Sequence, residues 1–316
     1  MTGRRRAVVG VTALVAWVAG SALGTLGAIA PASAQAGVVI GKAHAGYAPS
    51  LTGTTPIVLL VIGSGARLGE DVTHSLADSI HVVSINPDKH KATIIGIPRD
   101  SWVEIPGRGT SKINASLVYG GPALLVQTVE SISGLKIDYY AITTFWGLTQ
   151  LYDNLGGLTI DVPFSMHDSY SGADFEPGVQ TLTGQQVLAF SRDRHSLSGG
   201  DFARSENGGR VLLASLAAFR AAFQADQSSL FTWIASGMRN VQTTVPFDEV
   251  VQLAYTSSHI NPKGVTNIVL PGSTGTQGGL SVVFLSSEKA AIFADVKSDG
   301  ILLKKHIPLS PTANQT

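Results

Sequence analysis

The chain has 316 residues, enough for one large domain or two small ones and for a sizeable apolar core. Its 22 Lys+Arg balance 22 Asp+Glu, which argues against general nucleic-acid binding, since that needs a basic face. It has no cysteine, which excludes disulfides, thiolate metal sites and cysteine nucleophiles.

Arg4, Arg5 and Arg6 precede an uncharged, mostly apolar stretch from Ala7 to about Ala32. A basic segment before such a run is an export signal, with the arginines kept on the cytoplasmic side. The run is long enough to span a bilayer, and Ala32-Ser33-Ala34 is also a cleavage site of the A-x-A kind. Residues 1–36 are therefore read as a signal anchor or a cleaved signal peptide, and in either case the bulk of the chain faces outward. Residues 37–55 mix Gly, Ala, Ser, Thr and Pro without a period and read as a flexible tether.

From Ile57 to Ile62 a continuous, β-branched apolar run predicts a strand buried on both faces. It ends in Gly63-Ser64-Gly65-Ala66-Arg67, a loop of the kind where open α/β sheets bind ligands. Strands follow at Ile80 to Ile85 and Ala92 to Ile97. The turn residues Asn86-Pro87-Asp88-Lys89 between them predict an antiparallel hairpin. Gly120-Gly121-Pro122 opens a helix that Gly134 ends. A strand at Tyr139 to Thr144, a helix from Phe145 to Leu155 and a strand at Leu158 to Val162 come next. Pro163 to Gly178 reads as a surface excursion. Thr183 with Gln186 forms a capping signal for a short helix through Phe190. Beyond Gln227, helices are expected at Leu230 to Met238, Phe247 to Thr256 and Ser287 to Val296, with a strand at Val265 to Leu270. Strands alternating with helices, plus one antiparallel element, predict an α/β fold in one domain, a central mixed sheet with helices on both faces. The domain spans residues 56–300, followed by a loose tail over 301–316.

The stretch from Ser191 to Arg210 is the densest in arginine. Arg192 and Arg194 alternate, as on an extended segment. Arg204 precedes an amphipathic run, Leu212, Leu216, Phe219 and Phe223, and so falls at a helix N-terminus, where an anion is already favoured. Converging guanidinium groups suit a phosphate or pyrophosphate. The competing reading is a solvated loop with ion pairs to Asp193, Asp201 and Glu206.

Ile97-Pro98-Arg99-Asp100, Lys112-Ile113-Asn114-Ala115, Tyr119-Gly120-Gly121-Pro122, Asp138-Tyr139-Tyr140, Gly156-Gly157, Asp161-Val162-Pro163, Arg192-Asp193-Arg194-His195 and Gly200-Asp201-Phe202-Ala203-Arg204 occur in the order seen in LytR-CpsA-Psr (LCP) proteins. The chain resembles that family from about Ile57 to Val296. The resemblance implies an α/β/α sandwich with an apolar tunnel. It implies a membrane-associated, extracytoplasmic phosphotransferase, either anchored or secreted to the cell wall, which moves a glycopolymer from a polyprenyl-pyrophosphate carrier onto peptidoglycan with Mg²⁺. It assigns pyrophosphate binding to Arg67, Arg99, Arg192, Arg194 and Arg204, with Lys112 nearby. Arg99, Arg192, Arg194 and Arg204 are then the catalytic set and Asp78 the metal ligand. This chain departs from the family pattern in three places. Gly65 stands where a second metal carboxylate is usual, with Glu70 or Asp71 as possible substitutes. Ser75 and Leu76 stand where an arginine is usual. Asn207, Gly208 and Gly209 replace an Arg and Gln, with Arg210 one helical turn further on as a compensating candidate.

Phosphoryl transfer asks mainly for positioning and charge stabilisation, which suits a site rich in arginine and poor in nucleophiles. Asp100 or Asp201 is either a base toward an acceptor hydroxyl or, the preferred reading, a partner that orients an arginine. Hydrolysis of the carrier and binding of polyprenyl-linked glycans without turnover are the alternative functions.

Overall fold

In an extended strand successive side chains point to opposite faces, and this alternation builds the centre of the molecule. The computed structural model describes residues 37–46, 49–238 and 241–312. The signal or anchor expected over residues 1–36 lies outside them. Among the described residues no helix is long and apolar enough to cross a membrane. The first half of the chain forms β1 (Val38–Lys42), β2 (Ile57–Ser64), β3 (Ala77–Asn86), β4 (Lys91–Gly96), β5 (Trp102–Ile105), β6 (Gly109–Lys112), α1 (Ala115–Ser133), β7 (Tyr139–Thr144) and α2 (Phe145–Asn154). Next come β8 (Leu158–Val162), β9 (Met166–Asp168), β10 (Ala173–Phe175), β11 (Gly178–Leu182), α3 (Gly184–Arg192), α4 (Asp201–Ala225) and α5 (Ser229–Met238). The last elements are β12 (Val241–Thr243), α6 (Phe247–His259), β13 (Val265–Val269), β14 (Gly272–Gln277), β15 (Leu280–Leu285) and α7 (Lys289–Asp299).

Seven strands form one mixed sheet in the order β12-β1-β7-β2-β3-β4-β13. Val58, Leu60, Ile62, Ile80, Val82 and Ile142 face one side and pack on Leu125, Val126 and Val129 of α1 and on Ile292, Phe293 and Val296 of α7. Ile57, Leu59, Val83, Ile85 and Tyr139 face the other side and meet Leu216 of α4 and Val250 and Leu253 of α6. The expected α/β/α sandwich is therefore what forms. A second apolar cluster, including Tyr152, Ile160, Met166, Phe175, Phe190 and Val211, joins β8 to β10 with α2, α3 and α4.

Four regions differ from the sequence reading. The expected tether contains β1, which pairs with β7 and β12 inside the sheet. Its Gly41 is needed there because a Cβ would run into the Tyr140 ring. The excursion from Pro163 to Gly178 contains the β9–β10 hairpin, whose Met166, Asp168 and Phe175 are buried. The helix expected to open at Gly120 begins earlier, at Ala115, and is broken by non-helical geometry at Gly120 and Gly121 before Pro122 restarts it. The tail expected to be loose is tied down as far as Thr312. Leu302 joins the core, and the hydroxyls of Ser310 and Thr312 each donate to the Glu206 carboxylate.

Candidate active site

The strand register sets the floor of one cavity. Val61 lies opposite His81, and Gly63 opposite both Ser79 and Thr143, so these residues share the sheet face that α4 covers. The cavity they begin has a volume of about 540 Å³. Asp201, Arg204, Ser205, Gly208, Val211 and Leu212 of α4 form its roof. They recur every three or four residues, the spacing of one helical face. Phe145, Leu148 and Tyr152 of α2 and Leu188 of α3 line its apolar part.

The helix approaches the sheet closely because Gly208 and Gly209 have no side chains. A Cβ at Gly208 would lie 2.6 Å from His81 Cε1, and one at Gly209 would meet the Asn267 side chain. His81 is buried. Its Nε2–H donates to the Ser205 carbonyl at 2.9 Å, which leaves Nδ1 to accept from the Ser79 hydroxyl at 3.1 Å. Burial pushes its pKa down to about 4; the Ser205 hydrogen bond opposes this and the nearby Arg204 charge adds to it.

Four arginines reach the cavity: Arg99, Arg192, Arg194 and Arg204. Arg99 pairs with Asp78 and lies 3.7 Å from an Asp201 oxygen. Burial works against its charge, but Asp78 and Asp201 outweigh that, and its pKa rises. Arg204 donates to the Asp78 carbonyl and lies 3.6 Å from Asp201. Burial lowers its pKa; Asp201 resists, while the Arg99 and Arg194 charges add to the lowering.

Arg192 is the last residue of α3 and Asp193 caps that helix, so the two arginines do not lie on an extended strand. They are parted instead because Asp193 turns inward. It is buried and bonded to the backbone and hydroxyl of Ser196. Burial raises its pKa, against those Ser196 hydrogen bonds. Arg192 lies over the Phe145 ring at 4.6 Å. Among the described residues neither Arg192 nor Arg194 has a carboxylate within ion-pair distance, unlike Arg99 and Arg204. Two paired and two unpaired guanidinium groups beside an apolar chamber suit an anion carrying an apolar tail.

A family model described as the LytR_cpsA_psr family matches residues 32–297. The chain belongs to the LytR-CpsA-Psr family. Several relatives carry the name polyisoprenyl-teichoic acid–peptidoglycan teichoic acid transferase TagU. That of Oceanobacillus iheyensis is 32% identical over 246 residues, covering 73% of this chain and 72% of the relative. That of Halalkalibacterium halodurans is 36% identical over 161 residues, covering 50% and 52%, so the match spans about half the length of that relative. The crystal structure of TagV from Bacillus subtilis has a TM-score of 0.66 at 24% identity, over 81% of this chain and 98% of that one. The LytR-Csp2A-Psr enzyme from Actinomyces oris gives 0.62 at 23%, over 77% and 90%. These structural likenesses show the fold.

Several residues assigned through the LytR-CpsA-Psr pattern lie outside the cavity. Arg67 is exposed on the loop after β2, where its backbone N–H donates to Glu70 at 2.8 Å. Lys112 pairs with Asp100 at 3.1 Å on the β5–β6 hairpin, so Asp100 is spent on that pair. Arg210 donates to Glu206 at 3.0 Å, with Asn207 and Thr312 also in reach, and does not line the cavity. Charge spacing along the chain does not reveal such local partners. Glu70 and Asp71 are not among the residues that line the cavity; Glu70 accepts from the Arg67 backbone, and Asp71 from the Thr73 backbone and hydroxyl and from His74.

Asp78 does line the cavity, and Gly65 faces it: a Cβ at Gly65 would lie 2.7 Å from Asp78 Oδ2. Gly65 does not have a positive φ, so its small size is not a backbone requirement. Among the described residues no three acidic or histidine side chains are grouped for a metal. Asp201 Oδ1 is buried without a hydrogen-bond partner. Two carboxylates, Asp78 and Asp201, fit an ion of the Mg²⁺ kind that takes the rest of its oxygens from phosphate and water. Sequence reasoning gave no role to Asp168, Tyr170 or His195, yet all three line the cavity. Met166 and Asp168 both point inward from β9, but three residues are too few to show a period in the sequence.

Proposed function

We propose that this chain transfers a glycopolymer from a polyprenyl-pyrophosphate carrier to peptidoglycan, outside the cytoplasmic membrane, as the names of its TagU relatives suggest for teichoic acid. The observation that carries this reading is one cavity with four arginines at one part and apolar side chains at another. Its volume lies in the range that encloses a drug-sized ligand, suited to the pyrophosphate and the start of the tail.

Arg192 and Arg194, free of carboxylate partners, take the phosphate oxygens in two-point contacts. Arg99 and Arg204 are held by Asp78 and Asp201, so they meet the ligand already oriented. As charge moves toward the leaving phosphate, these fixed cations stabilise it without reorganising. The apolar wall from Phe145 to Tyr152 and Leu188 excludes water around the tail. Asp78, with Asp201, is the set that would hold Mg²⁺, which when bound supplies charge neutralisation at phosphate oxygens. Residues 1–36, read as a signal anchor or a cleaved signal peptide, would put the domain outside the membrane, and as an anchor would hold it where such carriers reside.

Incubating the purified protein with a polyprenyl-pyrophosphate glycan, Mg²⁺ and peptidoglycan tests the reading. Glycan covalently joined to peptidoglycan is expected. Release of the glycan phosphate into solution, or binding without turnover, would replace transfer by hydrolysis or by carriage.

A further inference from the structure

Asp168 ends β9 and its side chain is almost fully buried, 1% exposed. The His195 ring donates to it from Nδ1, at 3.0 Å to one oxygen and 3.2 Å to the other. The backbone N–H of Tyr170 donates at 2.9 Å, and that of Arg194 also contributes. Burial alone would raise the pKa of Asp168, but these donors hold it well below the usual carboxylate range. An ionised carboxylate only accepts, so Nδ1 must carry the hydrogen, and in the neutral ring that leaves the lone pair on Nε2. The Tyr170 ring lies against the His195 ring, with centroids 4.7 Å apart. His195 lines the cavity, its side chain is 43% exposed, and Nε2 has no hydrogen-bond partner among the described residues.

We propose that His195 is the proton acceptor for the incoming nucleophile and that Asp168 is the residue that positions it. The proposal rests on the transfer reading above. The acceptor hydroxyl oxygen attacks the glycan-bearing phosphorus and forms a new P–O bond. The bond from that phosphorus to the bridging oxygen breaks, and polyprenyl phosphate leaves with the electron pair. The hydroxyl proton passes to His195 Nε2, and Asp168 compensates the imidazolium charge until solvent takes the proton. The other carboxylates near the arginines do not compete for this task. Asp78 is paired with Arg99, Asp201 is held between the Arg99 and Arg204 charges at 3.7 and 3.6 Å and is in the set that would hold Mg²⁺, and Asp193 is buried against Ser196.

Two measurements test this. Long-range ¹H–¹⁵N correlation on the histidine ring of the wild-type protein should show the Nδ1–H tautomer, lost in Asp168→Asn. A wild-type Nε2–H tautomer overturns the proposal whatever the assay gives. In the transfer assay, His195→Ala should lower kcat by about 10²-fold or more, with affinity for the polyprenyl-pyrophosphate glycan and melting temperature unchanged. Added imidazole should restore part of the rate. An unchanged kcat, or a loss that imidazole does not rescue and that follows a lower melting temperature, assigns the pair a structural role and overturns the proposal. A wild-type protein that transfers nothing refutes the transfer reading itself, while the tautomer still decides whether the pair is built as described.

Discussion

At the scale of single residues, the four cavity arginines are not equivalent. Among the described residues Arg192 and Arg194 have no carboxylate partners, so replacing either with alanine breaks no ion pair, and Arg194→Ala does not touch the Arg192–Phe145 contact either. Each charge-assisted bond to a phosphate contributes roughly 1.5–3 kcal/mol. Arg194→Ala should therefore weaken binding of a polyprenyl pyrophosphate by about ten- to a hundredfold, with its thermal melt unmoved. Arg204→Ala should weaken binding and also lower the melting temperature, because it strands Asp201 and the Asp78 carbonyl. Equal melting temperatures for the two variants would contradict this division. The sequence named all four arginines that line the cavity, though not the helix end that carries Arg192, and it carried no sign of the difference between the pairs, which arises from side chains far apart in the chain. Gly65 gives a second prediction. In Gly65→Asp a second carboxylate faces Asp78, and the Arg99 and Arg204 charges must balance these two as well as Asp201. That variant should melt lower than wild type in EDTA and gain more from added Mg²⁺, since a ligand stabilises the state that binds it. Calorimetry showing equal Mg²⁺ affinity in the two proteins would remove Asp78 from the metal site.

At the scale of elements, the contact between α4 and β3 through His81 makes stability depend on pH. His81 stays neutral in the folded chain down to about 4, against an ordinary value of 6.5. Below pH 6.5 the unfolded chain therefore binds a proton that the folded chain does not. The stabilisation is complete above pH 6.5 and is lost as pH falls to about 4, by on the order of 3 kcal/mol. His81→Gln should be less stable than wild type at neutral pH, and urea melts should show the gap narrowing toward pH 4. Parallel stability curves would show that His81 is not the group responsible. Elements with strong periodicity were legible from sequence: β2, the β3–β4 hairpin, β7, β8 and the Thr183 capping box all stand where the pattern put them. The β14–β15 hairpin was not, because Gly272–Gln277 is polar, glycine-bearing and mostly exposed, with no apolar alternation to read. The β9–β10 hairpin was hidden for a related reason. Three-residue strands are too short to establish a period, so Asp168 looked like a loop residue.

At the scale of the whole molecule, the decisive element is the one read as a tether. Strand β1 has five residues and includes a glycine, and its partners β7 and β12 lie over 90 residues away in the chain, so local pattern could not reveal it. In the fold it fills the space between them, antiparallel to β7 over five residue pairs and parallel to β12 over three. Val39 packs into the core on one face and Ile40 against the cluster on the other. Just beyond, Lys42 bonds to Glu249 of α6 at 2.6 Å and His44 to Glu130 of α1 at 2.8 Å, so this segment touches both helical layers. A protein cut to begin at residue 56, the boundary suggested by composition, would lose all of this. Burying each of the two apolar side chains contributes about 1.5–3 kcal/mol, and the cut also leaves two strand edges unpaired, exposed to aggregation. Against a typical total of about 5–15 kcal/mol, that loss is a large fraction of the stability. A protein of residues 37–316 should therefore give a single cooperative melt, while residues 56–316 should melt far lower or aggregate on size-exclusion chromatography. Equal melting temperatures for the two would mean that β1 is dispensable and that the composition-based boundary was right.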